Sequence, residues 1–96
     1  MKKVIIIWSP IAQESYLKIL TNILERWTIK EAEDFESKVE SLIEKLKTLK
    51  HICPASYKQT QLRRCVITHQ TSLVYRIKEN SIEIVAFFDN RSEHPY

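Results

Sequence analysis

Apolar residues recur with helical spacing through the first half of the chain, after a short apolar run at the start. Residues 2–8 carry that run, which is typical of a strand buried on both faces. A helix then begins at Ser9 and Pro10, because serine caps a helix and proline fits its first turn, and it ends at about Arg26. Its apolar face consists of Ala12, Tyr16, Ile19, Leu20, Ile23, Leu24 and Trp27. We expect Trp27 to be a packing anchor beneath the turn that follows.

A second helix follows the first after a very short connection. Thr28 and Glu31 fit a capping box, in which the threonine hydroxyl accepts a backbone hydrogen bond and the glutamate reaches back to it. The apolar face of this helix consists of Ala32, Phe35, Val39, Leu42, Ile43, Leu46 and Leu49. Because few residues separate the two faces, the helices are expected to form an antiparallel hairpin that covers a sheet.

The second half of the chain has the periodicity of strands. An irregular loop spans residues 51–61. Three strand-like runs follow, over residues 62–68, 72–78 and 82–88. Their short connections predict an antiparallel meander, and Asn80 is expected to adopt the left-handed conformation in the last turn. The order β-α-α-β-β-β predicts one α+β domain over residues 1–96, in which an antiparallel helix hairpin packs on a mainly antiparallel four-stranded sheet.

The sequence contains no glycine, although average usage predicts roughly seven in a chain of this length. Walker loops, the GxGxxG dinucleotide turn, the GxSxG nucleophile elbow and the EF-hand loop all need glycine for their backbone angles or close approaches. These sites are therefore excluded, and any site in this chain must be built from side chains. We expect neither a cofactor nor a metal ion.

The formal net charge of +3 conceals an uneven distribution of charge along the chain. Residues 45–78 contain no acidic side chain and eight basic ones. These are Lys45, Lys47, Lys50, Lys58, Arg63, Arg64, Arg76 and Lys78. Such a block predicts salt-sensitive attraction to phosphates or to an acidic protein partner. The alternative is a solvated surface that is balanced in space by the acidic second helix.

The two cysteines, Cys53 and Cys65, do not have the spacing of a metal or redox motif. The sequence also contains neither a transmembrane span nor a secretion signal. We therefore expect a cytoplasmic protein in which both thiols are buried and reduced.

Four segments, taken together and in order, resemble the RelE/ParE family of bacterial toxins. They read VIIIWSPIA over residues 4–12, LRRCV over 62–66, LVYRI over 73–77 and IEIVAFFDNR over 82–91. The resemblance spans nearly the whole chain, and its specificity lies in the order and spacing of the segments. It implies the toxin of a type II toxin–antitoxin pair, which a small antitoxin holds inactive by wrapping a segment over its surface.

The family has two activities, and the resemblance leaves both open. ParE-like members act on DNA gyrase, whereas RelE-like members cut mRNA in the ribosomal A site. The long helices favour the ParE-like action, with the ribosome-dependent endoribonuclease as the alternative and a non-catalytic nucleic-acid-binding module as a further one. The expected partners are a cognate antitoxin and either DNA gyrase or the ribosome with its mRNA. No membrane is expected as a partner, and a homodimer is compatible with the sequence.

The resemblance also suggests which residues would cut RNA. Cleavage through the 2′-OH needs a base, cations beside the phosphate and an acid for the leaving oxygen. Arg64 corresponds to the arginine that RelE-like toxins hold beside the phosphate, and Arg91 corresponds to a second cation. His94 or Tyr96 stands near the terminal acid–base residue of those toxins, and Lys58 stands where a lysine base is expected.

Contacts with the target or its phosphates are expected from Arg63, Arg64, Lys58 and Arg76. Because neighbouring side chains of a strand alternate, Arg63 and Arg64 should lie on opposite faces of the sheet. Tyr96 is the last residue of the sequence, and chain ends are usually mobile. A mobile end would position a proton poorly, which also favours the action on gyrase.

Overall fold

The elements of the fold follow one another in the predicted order. The structure, a computed structural model, describes residues 4–96. Its elements are β1 (Ile5–Trp8), α1 (Pro10–Arg26), α2 (Ile29–Leu46), β2 (Arg63–Val66), β3 (Thr71–Ile77) and β4 (Ser81–Asp89). The predicted β-α-α-β-β-β order is confirmed, whereas Lys2 and Lys3 of the predicted first strand lie outside the described residues.

Both helices begin at the predicted caps. The Ser9 hydroxyl accepts a hydrogen bond from the Ala12 N–H at 2.9 Å and donates one to the Val85 carbonyl at 2.7 Å. The cap of α1 therefore also ties this helix to β4. The Thr28 hydroxyl accepts a hydrogen bond from the Glu31 N–H at 3.2 Å, which starts α2. Within residues 4–96, no helix is both long and apolar enough to cross a membrane.

The four strands form one sheet with the order β1-β4-β3-β2. β1 runs parallel to β4, and the other neighbouring pairs are antiparallel. The helices cover one face, where the core contains Ala12, Phe35, Val39, Leu46, Cys65, Leu73, Tyr75, Ile82, Ile84 and Phe87. The opposite face, which we call the open face, carries a smaller cluster of Leu62, Val74, Ala86 and Phe88. The second face is therefore also partly apolar.

The prediction that the first strand is buried on both faces is wrong. Ile5 and Ile7 are 63% and 47% exposed, whereas Ile6 and Trp8 pack against the core beneath the helices. β1 is an edge strand that pairs only with β4, and the helices cover only one of its faces. The run of isoleucines is therefore amphipathic in the fold, despite its continuous hydrophobicity.

Two predictions about turn residues are also wrong. Trp27 is 65% exposed and is the C-cap of α1, where its N–H donates to the Ile23 carbonyl at 2.8 Å. The indole therefore does not anchor the core. Among residues 4–96, none has a positive φ angle, so Asn80 is not left-handed. The turn closes through a hydrogen bond from the Lys78 N–H to the Ser81 carbonyl at 2.8 Å, which requires no glycine-like backbone.

The expectation of two reduced thiols is wrong as well, because Cys53 and Cys65 form a disulfide. The loop of residues 54–62, which we call the anchor loop, folds back on the start of β2. The Arg64 N–H donates to the Pro54 carbonyl at 2.9 Å, and Ala55 bridges to Arg63. These backbone contacts bring the two cysteine Cα atoms to 5.4 Å, within the normal range for a disulfide.

The disulfide predicts a loss of stability on reduction. The bridge spans 12 residues of sequence, and closing a loop of about this size stabilises a fold by about 3 kcal/mol. We expect the double variant C53S/C65S to lose about this free energy of unfolding in urea titrations. The wild-type chain in excess dithiothreitol should match the variant. Equal stability of the oxidised and reduced wild-type chain would contradict the stabilising role of the bridge.

Candidate functional site

The chain end lies on the open face, where the anchor loop holds it. The residues that follow β4 turn back across the sheet, and three side chains of the anchor loop donate to carbonyl oxygens of the last three residues. Ser56 Oγ donates to the Tyr96 main-chain oxygen at 2.6 Å, and Lys58 Nζ donates to the His94 carbonyl at 2.7 Å. Gln59 Nε2 donates to the Pro95 carbonyl at 3.0 Å. The expectation of a mobile chain end is therefore wrong, because residues remote in sequence fix it.

The Phe88 side chain forms the floor beneath this chain end. Its ring centroid lies 4.1 Å from that of His94 and 5.3 Å from that of Tyr96. The Arg64 guanidinium carbon lies 5.0 Å from the same centroid, in a cation–π arrangement. Phe88 is only 7% exposed. One buried ring of β4 thus brings together an arginine of β2 and both aromatic residues of the chain end. We call Lys58, Arg64, His94 and Tyr96 the open-face cluster.

The open-face cluster has two cations and no acidic partner. Among residues 4–96, no carboxylate lies within 4.0 Å of the Arg64 guanidinium or the Lys58 ammonium. Arg64 Nη2 instead donates to Asn90 Oδ1 at 3.0 Å, and Lys58 donates to a main-chain carbonyl. Both positive charges therefore remain available to an anion, and Arg64 is half-buried, where water screens its charge less.

The neighbours of His94 favour its neutral imidazole over the charged form. Partial burial lowers the pKa of its imidazole below the ordinary value, and the nearby charges of Lys58 and Arg64 lower it further. Its Nδ1 accepts a hydrogen bond from the Tyr96 N–H at 3.2 Å. The neutral ring therefore carries its proton on Nε2, which is a hydrogen-bond donor at neutral pH.

Three other arginines predicted as site residues lie outside the open-face cluster. Arg63 lies on the helix-covered face, where its guanidinium donates to the Cys53 carbonyl at 2.6 Å. It therefore lies on the face opposite Arg64, as the alternation of side chains predicts.

Arg76 lies on the open face but forms an ion pair with Glu83 at 2.7 Å. That hydrogen bond lowers the pKa of the Glu83 carboxyl, and Lys78, at 3.6 Å, also contributes.

Arg91 lies apart from Arg64 and is paired with an acid. Its guanidinium contacts the Asp89 carboxylate at 3.1 Å, and this hydrogen bond lowers the pKa of Asp89. Both side chains line a cavity of about 470 Å³ between the helix hairpin and the β2–β3 turn, next to the exposed Trp27. The structure therefore does not bring the two arginines together as a pair of cations.

The residues that organise the cluster were not predicted from the sequence. Phe88 could have been found, because alternation along β4 sets it on the face opposite Phe87. Ser56 and Asn90 gave no comparable signal, since each acts on a partner far away in sequence. In the described part of the chain, no group of three or more His, Cys, Asp or Glu side chains could hold a metal ion.

Comparisons with known proteins agree with this architecture. Residues 6–94 match the family model described as the ParE toxin of the type II toxin–antitoxin system parDE. Among proteins of curated function, none matches the sequence significantly.

Solved structures with the same fold include toxins of several names. The structure of a chromosomal ParDE toxin–antitoxin system from P. aeruginosa has a TM-score of 0.76 at 12% identity, over 91% of this chain and 96% of that one. The YoeB–YefM complex from Staphylococcus aureus has a TM-score of 0.60 at 21% identity, over 90% of this chain and 95% of that one. YafQ from E. coli has a TM-score of 0.61 at 12% identity, over 92% of this chain and 94% of that one. At these identities the likeness shows the fold alone.

The environment of His94 predicts a pH-dependent stability. Because its pKa is lower in the folded chain than the value near 6.5 of an unfolded one, the unfolded chain binds a proton first as the pH falls. The contribution of His94 is therefore complete above about pH 6.5 and is lost as the pH falls below it. Lys58 and Arg64 are the cations whose charges contribute to the lowered pKa of the ring.

The measurement is the free energy of unfolding between pH 7.5 and 5.5. Wild type should lose more stability over this interval than H94Q. The variant H51Q, in an exposed loop position, controls for the removal of a histidine. If H94Q and wild type lose the same free energy, the inferred environment of His94 is wrong.

Proposed function

This chain belongs to the ParE toxin family of type II toxin–antitoxin systems, and we propose that its open-face cluster cleaves mRNA on the ribosome and so arrests growth. The observation that carries the proposal is the convergence of Arg64 and Lys58, both without a carboxylate partner among residues 4–96, with His94 and Tyr96. A surface that presents free cations and proton donors side by side suits a phosphodiester.

The reaction assigns a step to each group. The 2′-oxygen of the RNA forms a bond to phosphorus while the bond to the 5′-oxygen breaks, which leaves a 2′,3′-cyclic phosphate and a 5′-hydroxyl. The Lys58 ammonium first loses a proton to water, and the resulting amine takes the proton of the 2′-hydroxyl. Arg64 stabilises the charge on the phosphate oxygens, since its planar guanidinium can donate two parallel hydrogen bonds.

The chain end supplies the donors for the other side of the phosphate. The Tyr96 hydroxyl gives a proton to the leaving 5′-oxygen, and the His94 Nε2–H donates to a phosphate oxygen without carrying charge. The anchoring of this segment by Ser56 and Gln59 supports these roles, because a proton donor must be held within hydrogen-bond distance of the leaving atom.

Action on DNA gyrase is the second candidate function. The long helices of the hairpin and the strongly exposed Trp27 at its turn favour it, since an exposed indole is suited to a protein interface. Arg91, beside the cavity under this turn, belongs to this candidate as a target contact. The sequence alone favours gyrase partly because a mobile chain end would position a proton poorly. Anchoring of the chain end removes that reason and leads us to put RNA cleavage first.

We expect the antitoxin that neutralises this chain to bind the exposed apolar edge of the sheet at β1. β1 pairs on one side only, and its Ile5 and Ile7 side chains are exposed on the open face. An extended segment of a partner can add to such an edge through main-chain hydrogen bonds, with apolar side chains on the isoleucines. Acidic residues in a continuation of the partner chain across the open face would be attracted by Arg64 and Lys58, and they would cover the proposed site.

The proposal predicts a selective effect of Arg64. We expect R64A to lower cleavage of a ribosome-bound mRNA by at least about 100-fold, because it removes the cation at the phosphate. R76A is the matched control, since Arg76 lies on the same face but is neutralised by Glu83. It should cleave within about threefold of wild type, as removal of an exposed ion pair has little effect on a distant site.

The outcome in cells separates the candidate functions. Expression of the wild-type chain alone should arrest growth, and mRNA in these cells should be cut in phase with codons. Co-expression of the antitoxin encoded by the neighbouring gene should restore growth. A DNA-damage response with intact mRNA, relieved by R91A and not by R64A, would favour gyrase and contradict the proposal. Harmless expression of the folded chain would contradict both and leave a non-catalytic nucleic-acid-binding module.

A further inference from the structure

Asn90 connects three separate parts of the sheet at the margin of the open-face cluster. Its Oδ1 accepts hydrogen bonds from Arg64 Nη2 at 3.0 Å and from the Ser72 hydroxyl at 2.5 Å. Its Nδ2 donates to the His69 carbonyl at 3.3 Å, and its own N–H donates to the Gln70 carbonyl at 2.7 Å. One side chain that follows β4 therefore binds β2, β3 and the turn between them.

These partners fix which way the Asn90 amide faces. A carbonyl oxygen can only accept, so the His69 carbonyl requires the NH2 group of the amide on its side. The amide oxygen is then directed to Arg64, whose guanidinium can only donate. Ser72 is fully buried, and its hydroxyl holds the same oxygen from the other side. The acceptor offered to Arg64 is thus rigid.

The same contact leaves most of the guanidinium unoccupied. An arginine has five N–H donors, and Arg64 uses one of them on Asn90 while its plane lies over the Phe88 ring. Among residues 4–96, no carboxylate contacts Arg64. By contrast, the open-face Arg76 is held by a glutamate, and Arg91 is held by an aspartate. Arg64 alone of these three is oriented by a neutral acceptor.

We propose that Asn90 is a positioning residue, which orients Arg64 for a phosphate group and leaves its positive charge unneutralised. An aspartate at this position would also accept hydrogen bonds from the guanidinium, but it would cancel the charge of Arg64 and could not donate to the His69 carbonyl. An alanine would leave the charge of Arg64 intact but would no longer orient its guanidinium. An amide at this position therefore orients the guanidinium without neutralising its charge. The inference rests on the proposed function only for the identity of the phosphate as that of RNA.

The two substitutions separate orientation from charge. Arginine side-chain NMR reports hindered rotation of the Arg64 guanidinium, and titration with inorganic phosphate reports its access to an anion. In wild type we expect slowed rotation and a phosphate-dependent shift of the Arg64 signals. N90D should keep the slowed rotation and lose phosphate affinity by about tenfold or more. N90A should lose the slowed rotation, and N80A, at an exposed turn, should behave like wild type.

The cleavage assay gives the second readout. N90A and N90D should both cleave ribosome-bound mRNA at least about tenfold more slowly than wild type, although each remains folded by circular dichroism. If the role of Asn90 were purely structural, N90D would leave the phosphate affinity of Arg64 unchanged, because the lost hydrogen bond to His69 does not alter the charge of Arg64. Three outcomes would each overturn the inference. They are an unchanged rotation rate of the Arg64 guanidinium in N90A, an unchanged phosphate affinity in N90D, and wild-type Arg64 signals that do not shift when phosphate is added. Normal NMR results without any mRNA cleavage would instead contradict the proposed function alone.

Discussion

The position of β4 between β1 and β3 determines which side chains form the core beneath the helices and which lie beneath the candidate site on the open face. β4 is one of the two inner strands, and it places Ile82, Ile84 and Phe87 beneath the helices and Ala86 and Phe88 on the open face. Phe88 then packs against the two aromatic residues of the chain end and against Arg64. The same strand thus builds the core that stabilises the fold and the floor that supports the candidate site.

Local patterns were sufficient to predict the elements of this fold. Helical spacing and the caps at Ser9 and Thr28 located both helices, and alternation located every end of the last three strands to within one or two residues. The burial of β1 could not be read in the same way. A run of isoleucines is equally apolar in a central or an edge strand, and only the strand order decides which face remains exposed.

The candidate site was predictable only in part, because its geometry depends on contacts between residues distant in sequence. Arg64, Lys58, His94 and Tyr96 were identified as candidates, and the structure brings these four together. Their convergence requires the anchor loop, whose Ser56 lies 40 residues from the Tyr96 that it binds. The disulfide depends on the same backbone arrangement, which brings Cys53 to Cys65. No local pattern encodes contacts of this kind. The absence of glycine excluded backbone-built phosphate sites and is consistent with a site made of side chains.

We propose that the anchored chain end completes a site for RNA cleavage with Arg64. Removal of residues 94–96 tests this role, since the shortened chain keeps Arg64, Phe88 and the whole covered core. Cleavage of a ribosome-bound mRNA should fall by about 100-fold or more in this chain, while circular dichroism shows an intact fold. A shortened chain that cleaves mRNA at the wild-type rate would show that the chain end has no part in cleavage.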